Sequence, residues 1–493
     1  MKKLFFICLF FVLVSVVMAV PFASRIRVSS FKVYEGVGLT ISYVINEDGG
    51  TAAIDIIKAS DSSVAASFSG TATKGDNTVV WNGSADNASD AKIGPGEYKV
   101  RITVDATKPV GWTEIASNSS VGNYVAESPT VYQTLWDGFS PMEFLIQTDP
   151  RKDAFGYVMV SAAYGTPLVT GHVVFNPDLS CFDGGDGMNT WLNYPGAATT
   201  VGTCVWGNCF DPDDSDYAWV CGQNAAVNVL YAKWNDATLT DRTNGVTNLQ
   251  NARDISVVKE GTTKYAYVAL GSSRVFKAAI DSNNNLVASP APINIINTTL
   301  TTLYSKGADF DSEGNLYYTV RYDTTQSSGA GCVVYRWDAD TVQAATEGSL
   351  TDANASWKIT FPTGATNAEG VAITRDGDVY AAILNEGALT PPNDGSLRGL
   401  YLLGNKSLTT NFKELSIADR VIGFWGTDTI FSGYGVGIRA DYAGNIYWSD
   451  RACEQVRCVS PGGTTSVPVV APDSQTFEIE TLPLNAKNWV IYE

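Results

Sequence analysis

Three stretches of the chain repeat one pattern. Residues 307–320 read GADFDSEGNLYYTV, residues 370–383 read GVAITRDGDVYAAI, and residues 437–450 read GIRADYAGNIYWSD. Each opens on glycine, alternates apolar and polar side chains, turns at a second glycine and runs into an aromatic strand. The turn glycines Gly314, Gly377 and Gly444 are 63 and then 67 residues apart. A unit of that size cannot bury its apolar face alone, so its copies must stack or close radially. Such an array presents a surface and does not by itself supply chemistry.

Looser copies extend the pattern over 143–160 (turn near Lys152), 205–222 (near Asp214), 252–271 (Gly261) and 477–492 (near Ala486). A further strand follows several hairpins, as at Arg274–Ala279, Cys332–Trp337 and Gln455–Val459. Four short strands per unit of this length make a β-propeller blade. The prediction is a propeller over 141–493. Seven blades are expected, the last combining the C-terminal hairpin with strands from 112–136, so that closure removes exposed strand edges. Six blades with a C-terminal appendage is the alternative. The clear copies resemble NHL and SMP-30-type propeller repeats in their glycine-opened strand, D-x-x-G-N/D turn and following aromatic strand.

Residues 20–105 form a separate unit. Strands are expected at Arg25–Tyr34, Leu39–Ile45, Ala52–Ala59, Val64–Ser69, Thr78–Trp81 and Tyr98–Val104, most with period-two alternation between turn-rich separators. The size fits an immunoglobulin-like β-sandwich. Within 75–104, Gly75, Asn77, Val79, Trp81, Asn82, Gly83, Pro95, Gly96, Tyr98 and Ile102 resemble the Ig-like domain of flagellar hook-capping proteins. That resemblance implies a core tryptophan at Trp81, a spacer or assembly role and a bacterial source. Residues 106–140 read as linker and closing strands. The fold class is therefore all-β, a sandwich followed by a propeller.

Lys2 and Lys3, an apolar run from Leu4 to Val17, and Ala19 at a small-residue site read as a secretory signal peptide over 1–19. The run is shorter than the roughly 20 residues that span a bilayer. The expectation is export to the periplasm, the cell surface or the medium, with no membrane insertion after cleavage. The net charge of −18 disfavours nucleic acid and anionic lipid as partners. Seven cysteines follow the leader. In an oxidising compartment Cys181, Cys204, Cys209, Cys221, Cys453 and Cys458 are disulfide candidates, with Cys332 the odd one.

Chemistry is hard to find. His172 is the single histidine; it sits in an alternating strand with no nucleophile motif nearby. The acidic turn Asp211, Asp213, Asp214 and Asp216 is a Ca²⁺ candidate, though Asp and Ser make tight turns without metal. No other cofactor is expected. SMP-30-like lactonases hold an axial metal, and Glu143, Asp254, Asp309 and Glu369 stand near the starts of inner strands. No residue-by-residue match to those ligands exists, so no role is carried over. Trp191, Tyr194, Trp206, Phe424, Trp425 and Tyr434 fall in glycine-rich stretches and are candidates for stacking on a sugar or peptide. The preferred reading is a non-catalytic exported protein that binds an extracellular protein or glycan, or assembles with itself. The alternative is a metal-dependent propeller hydrolase or lyase acting on a sugar-derived substrate.

Overall fold

The computed structural model describes residues 21–108, 111–117, 141–162, 171–180, 191–193, 204–223, 229–233, 240–242, 246, 249, 252–271, 274–298, 305–320, 332–362, 365–368, 370–386, 397, 399–423, 437–450 and 455–481. Among them, six sheets of four or five strands follow one another along the chain. Blade 1 runs Pro141–Ile146, Val158–Ala162, Gly171–Phe175, Trp191–Asn193 from the axis outward. Blade 2 runs Cys204–Phe210, Tyr217–Gln223, Val229–Lys233, Thr240–Asp241. Blade 3 is Ala252–Glu260, Thr263–Leu270, Arg274–Ile280, Ile293–Asn294. Blade 4 is Ser305–Phe310, Leu316–Val320, Val333–Trp337 and Trp357–Thr360, with Asn411–Glu414 added in parallel outside. Blade 5 starts with Ala365–Ala368 and Ala372–Ile373, then Asp378–Glu386, Gly399–Asn405 and Arg420–Gly423. Blade 6 is Ile438–Ala440, Ile446–Asp450, Gln455–Ser460 and, from the other end of the chain, Thr113–Ser117. The inner strand of blade 6 packs on that of blade 1, as do those of blades 1 and 2, 2 and 3, 3 and 4, and 5 and 6; blade 5 bonds to blade 4 through the Val371 N–H on Asp309, so the ring closes.

Local chemistry explains why each blade turns where it does. In blade 4, Asp311 Oδ1 accepts the backbone N–H groups of Glu313 (2.9 Å) and Asn315 (3.0 Å), while the Asn315 amide donates back to Oδ2 at 2.8 Å. Asp441 and Asn445 repeat the arrangement in blade 6. The glycine between them is left-handed in all three clear copies, at φ +89° (Gly314), +88° (Gly377) and +87° (Gly444), a region where a Cβ is strained. The aromatic strand that follows is buried between blades, with Tyr317 and Tyr318 fully covered, as are Tyr335, Trp337 and Trp357 in the two strands outside it.

Five of the six strands expected in the first unit lie within a few residues of Leu39–Ile45, Thr51–Lys58, Val64–Gly70, Gly75–Trp81 and Gly96–Lys108, but the expected Arg25–Tyr34 is two strands, Ala23–Val28 and Lys32–Tyr34, which cross from one sheet to the other at the bend 29–31. They form two sheets around one core. Trp81 plugs it, 0% exposed, with Nε1 donating to the Ser84 carbonyl at 2.8 Å. The segment 477–492 does not begin a seventh blade. Phe477–Glu480 instead pairs in parallel with Lys32–Tyr34 and antiparallel with the start of Gly96–Lys108, and Gly463–Val470 pairs along the rest of that strand. The first unit is therefore built from both ends of the chain. The physical reason is burial: Val469, Ala471, Phe477 and Ile479 complete the sandwich core, and blade 6 already has its fourth strand. The sandwich docks on the hairpin turns of blades 1 and 6, where Phe22, Phe155 and Tyr442 meet ring to ring. No helix among the described residues is long and apolar enough to cross a membrane.

Candidate functional site

Four ionisable side chains from four blades converge on the axis. Asp254 of blade 3 accepts from the Ile255 N–H at 2.9 Å and, across the blade boundary, from the Ala308 N–H at 2.9 Å. Asp309 does the same one blade on, accepting from the Val371 N–H at 2.8 Å. Glu143 of blade 1 accepts from the Phe144 N–H at 3.0 Å. Arg439 of blade 6 reaches all round: Nη2 lies 2.7 Å from Asp309 Oδ1 and Nη1 lies 3.5 Å from Glu143 Oε1. The same Nη1 donates to the carbonyls of Ile438 (2.9 Å) and Val371 (3.4 Å). One guanidinium thus ties blades 1, 4, 5 and 6, and the aspartates tie 3 to 4 and 4 to 5. Asp309 and Arg439 stand two residues after the opening glycines Gly307 and Gly437. Those openings are tight: a Cβ on Gly307 would lie 2.7 Å from Gly370 Cα, so blades 4 and 5 touch backbone to backbone.

Burial sets the titration of the cluster. It pushes Glu143 up to about 8, against the pull of Arg439 and with the push of Asp254 and Asp309. Asp254 rises to about 6, again by burial first and then by Asp309. Asp309 is raised by the same burial, with Arg439 opposing. Burial works against the Arg439 charge, but Asp309, Glu143 and Asp254 outweigh it and keep the guanidinium protonated. At neutral pH Glu143 is mostly protonated.

The folded pKa of Glu143 lies above its unfolded value near 4.5. Its contribution is therefore present in full below about pH 4.5 and is lost as pH rises to about 8. Glu143→Gln removes that loss while keeping the acceptor for Phe144. Relative to wild type, the variant should gain on the order of 3 kcal/mol in urea-unfolding free energy between pH 5 and pH 8. Parallel stability curves for the two proteins would overturn the assignment.

Beside the cluster lies a cavity of about 590 Å³. Its lining includes Asp309, Arg439 and Cys209 of the inner strands, the apolar Phe210, Val258, Phe310 and Ile373, and Arg375, Lys406 and Tyr442 of the turns. Glu143 and Asp254 are not in its lining. The Arg375 guanidinium sits 4.9 Å above the Tyr442 ring, and Lys406 Nζ lies 2.9 Å from Glu313.

The residues singled out by sequence fall in varied places. Glu369, Cys181, Cys453, Tyr194, Phe424, Trp425 and Tyr434 lie outside the described residues, as do the side chains of Trp191, His172 and Cys204. Trp206 is buried at 2% exposure beneath the Arg253 guanidinium, 3.8 Å from its ring centre. The Asp211 turn meets lysines: Asp211 and Asp213 pair with Lys264, Asp213 also with Lys259, and Asp214 and Asp216 with Lys152. Asp211 Oδ2 also accepts from Trp219 Nε1 at 2.9 Å, a turn-stabilising role. Among the described residues no group of three or more His, Cys, Asp or Glu side chains is placed to hold a metal ion.

The disulfide expectation is corrected for Cys209, Cys221 and Cys458, which with Cys332 carry thiols. Cys209 stands opposite Trp219, so Cys221 is its diagonal neighbour on the adjacent strand. Diagonal positions are about 7–8 Å apart, too far for a disulfide. Cys458 instead points into the core between blades 6 and 1, beside Tyr447 and Phe144. Burial raises the Cys209, Cys221 and Cys458 thiols, which makes them weak nucleophiles. Sequence reasoning passed over Arg439. Its repeat position, shared with Asp309 but opposite in charge, is the signal that could have found it.

No family model matches the chain, and no curated protein matches it. Among solved structures, the Cps50 (Swd1) β-propeller domain of Myceliophteria thermophila aligns over 73% of this chain and 92% of its own, at 9% identity and TM-score 0.34. A structural-genomics protein of unknown function from Bacteroides thetaiotaomicron VPI-5482 aligns over 88% and 98%, at 12% identity and TM-score 0.24. A luciferin-regenerating enzyme aligns over 50% and 68%, at 10% identity and TM-score 0.28. Scores this low leave the architecture to rest on the strand pairing itself.

Proposed function

We propose that the chain is an exported, non-catalytic binding protein. Its propeller takes a partner protein or glycan at the axial cavity, and its Ig-like sandwich serves as a spacer or assembly module. The observation that carries this reading is the Arg439 guanidinium. It stands where three carboxylates converge and supplies the positive charge that a metal would bring to such a ring. The carboxylates are in turn spent on backbone N–H groups of neighbouring blades, which is what a structural hub needs.

The separation of Glu143 (about 8) from Asp254 (about 6) is the one feature that favours the hydrolase alternative, since carboxyls held apart in this way can divide acid and base roles. Neither carboxyl lines the cavity, so a substrate seated there would meet Arg439 and Asp309 first. The test is to present the full-length protein to a glycan array and, separately, to a lactone panel with Ca²⁺, Mn²⁺ or Zn²⁺ added. Binding without turnover is expected. Metal-dependent turnover would overturn the proposal.

A further inference from the structure

We propose that the axial cavity is built for a carboxylate carried on an apolar body. This rests on the reading of the cavity as a binding site and adds the chemistry of its occupant. Two kinds of charged group line the space, and they differ in what they still offer. The acidic ones are spent. Asp309 gives Oδ1 to Arg439 and Oδ2 to the Val371 N–H. Asp311 and Asp441 are buried, their oxygens taken up by turn N–H groups and by the amides of Asn315 and Asn445.

The basic groups keep donors to spare. The hydrogen bonds of Arg439 among the described residues run through Nη1 and Nη2, while a guanidinium carries five N–H donors. The Arg439 side chain is 21% exposed against 7% for Asp309, so a ligand in the cavity meets the cation first. Arg375 and Lys406, the latter already bonded to Glu313 and Ser312 through two of its three N–H groups, add two more cationic side chains to the lining. Protonation of Glu143 leaves Asp309 as the main counter-charge beside Arg439.

The apolar lining supplies the other half of the recognition. Phe210, Phe310 and Ile373 stand one residue before the turn residues Asp211, Asp311 and Thr374 in their blades. Each is only half-buried, as is Val258, and so keeps apolar surface toward the cavity. A volume of 590 Å³ is in the range of sites that enclose small ligands. The net charge of −18 repels an approaching anion at long range. Screening confines that repulsion to about 8 Å at physiological salt, so the donors in the cavity decide the sign at contact.

The experiment is calorimetric titration of the full chain at pH 7 with octanoate, octylamine and octanol. N-acetyl-leucylleucine is added as a stand-in for a chain terminus. Octanoate or the dipeptide should bind at least ~10-fold more tightly than octylamine; the tighter of the two distinguishes a free acid from a partner's C-terminus. Ser256→Trp, which fills the cavity, should weaken binding by ~10-fold or more. Lys406→Gln, in a turn of the lining and outside the core, should weaken the acids by ~3-fold and leave octanol unchanged. Octylamine binding as tightly as octanoate would overturn the carboxylate assignment and leave the cavity as a binding site. No binding by any of the four compounds, or binding indifferent to both variants, would remove the cavity as a site and the wider reading with it.

Discussion

Replacing Arg439 with methionine should cost about 3–5 kcal/mol at neutral pH, the usual loss when one partner of a buried ion pair is removed. In thermal unfolding the midpoint should fall by on the order of 10 °C. The loss comes from leftover charge. Methionine fills most of the arginine's volume, but Asp309 then faces Glu143 and Asp254 with no cation among them. The carboxyls must either stay ionised without a counter-charge or take up protons. Acidification should therefore shrink the defect: near pH 5, where Asp254 and Glu143 are protonated, most of the difference from wild type should disappear. Arg439→Lys should fall between the two, since one ammonium keeps the charge but cannot fork between blades. Adding Asp309→Asn to Arg439→Met should recover part of the loss, because the sites are in contact and do not behave additively. If Arg439→Met unfolded at the wild-type midpoint at pH 7.5, the axial cluster would not be the clasp described here.

A chain ending at Pro461 should lose the sandwich and keep the propeller. The deleted strands bury Val469, Ala471, Phe477 and Ile479, and they pair with Gly96–Lys108 along nearly its whole length. Burying an apolar side chain of this kind contributes about 1.5–3 kcal/mol. The lost burial is then comparable to the entire stability of a small domain, about 5–15 kcal/mol. The ring is spared because its closing pair, Thr113–Ser117 on Gln455–Ser460, lies on the retained side of the cut. Limited proteolysis should show cleavage concentrated in residues 21–108 and a resistant propeller fragment. A protease-resistant 21–108 segment in the shortened chain would show that the C-terminal strands are an accessory and not part of the core.

Much of the local structure could be read from the residues. Asp311, Gly314 and Asn315 make their turn within five positions of each other, so the information lies in one short window. The same holds for Trp81, whose indole bonds a carbonyl three residues away. The alternation in Phe477–Glu480 announced a strand but not its sheet, because period two says which side chains are buried and is silent on what buries them. Cys209 and Cys221 were both disulfide candidates by composition and compartment, which say nothing of pairing; the strand register places the two on a diagonal that a disulfide does not span.

The amino-acid sequence by itself determined that this protein is all-β, that its hairpins recur, and that its core residues alternate along each strand. These depend on contacts between near neighbours in the chain. The number of blades, the joining of both chain ends in one sandwich, and the meeting of Glu143, Asp254, Asp309 and Arg439 were decided only by the tertiary structure. Nearly 300 residues separate Glu143 from Arg439, and only closure of the ring brings them within reach. Whether each carries charge then follows from how much water that closure excludes.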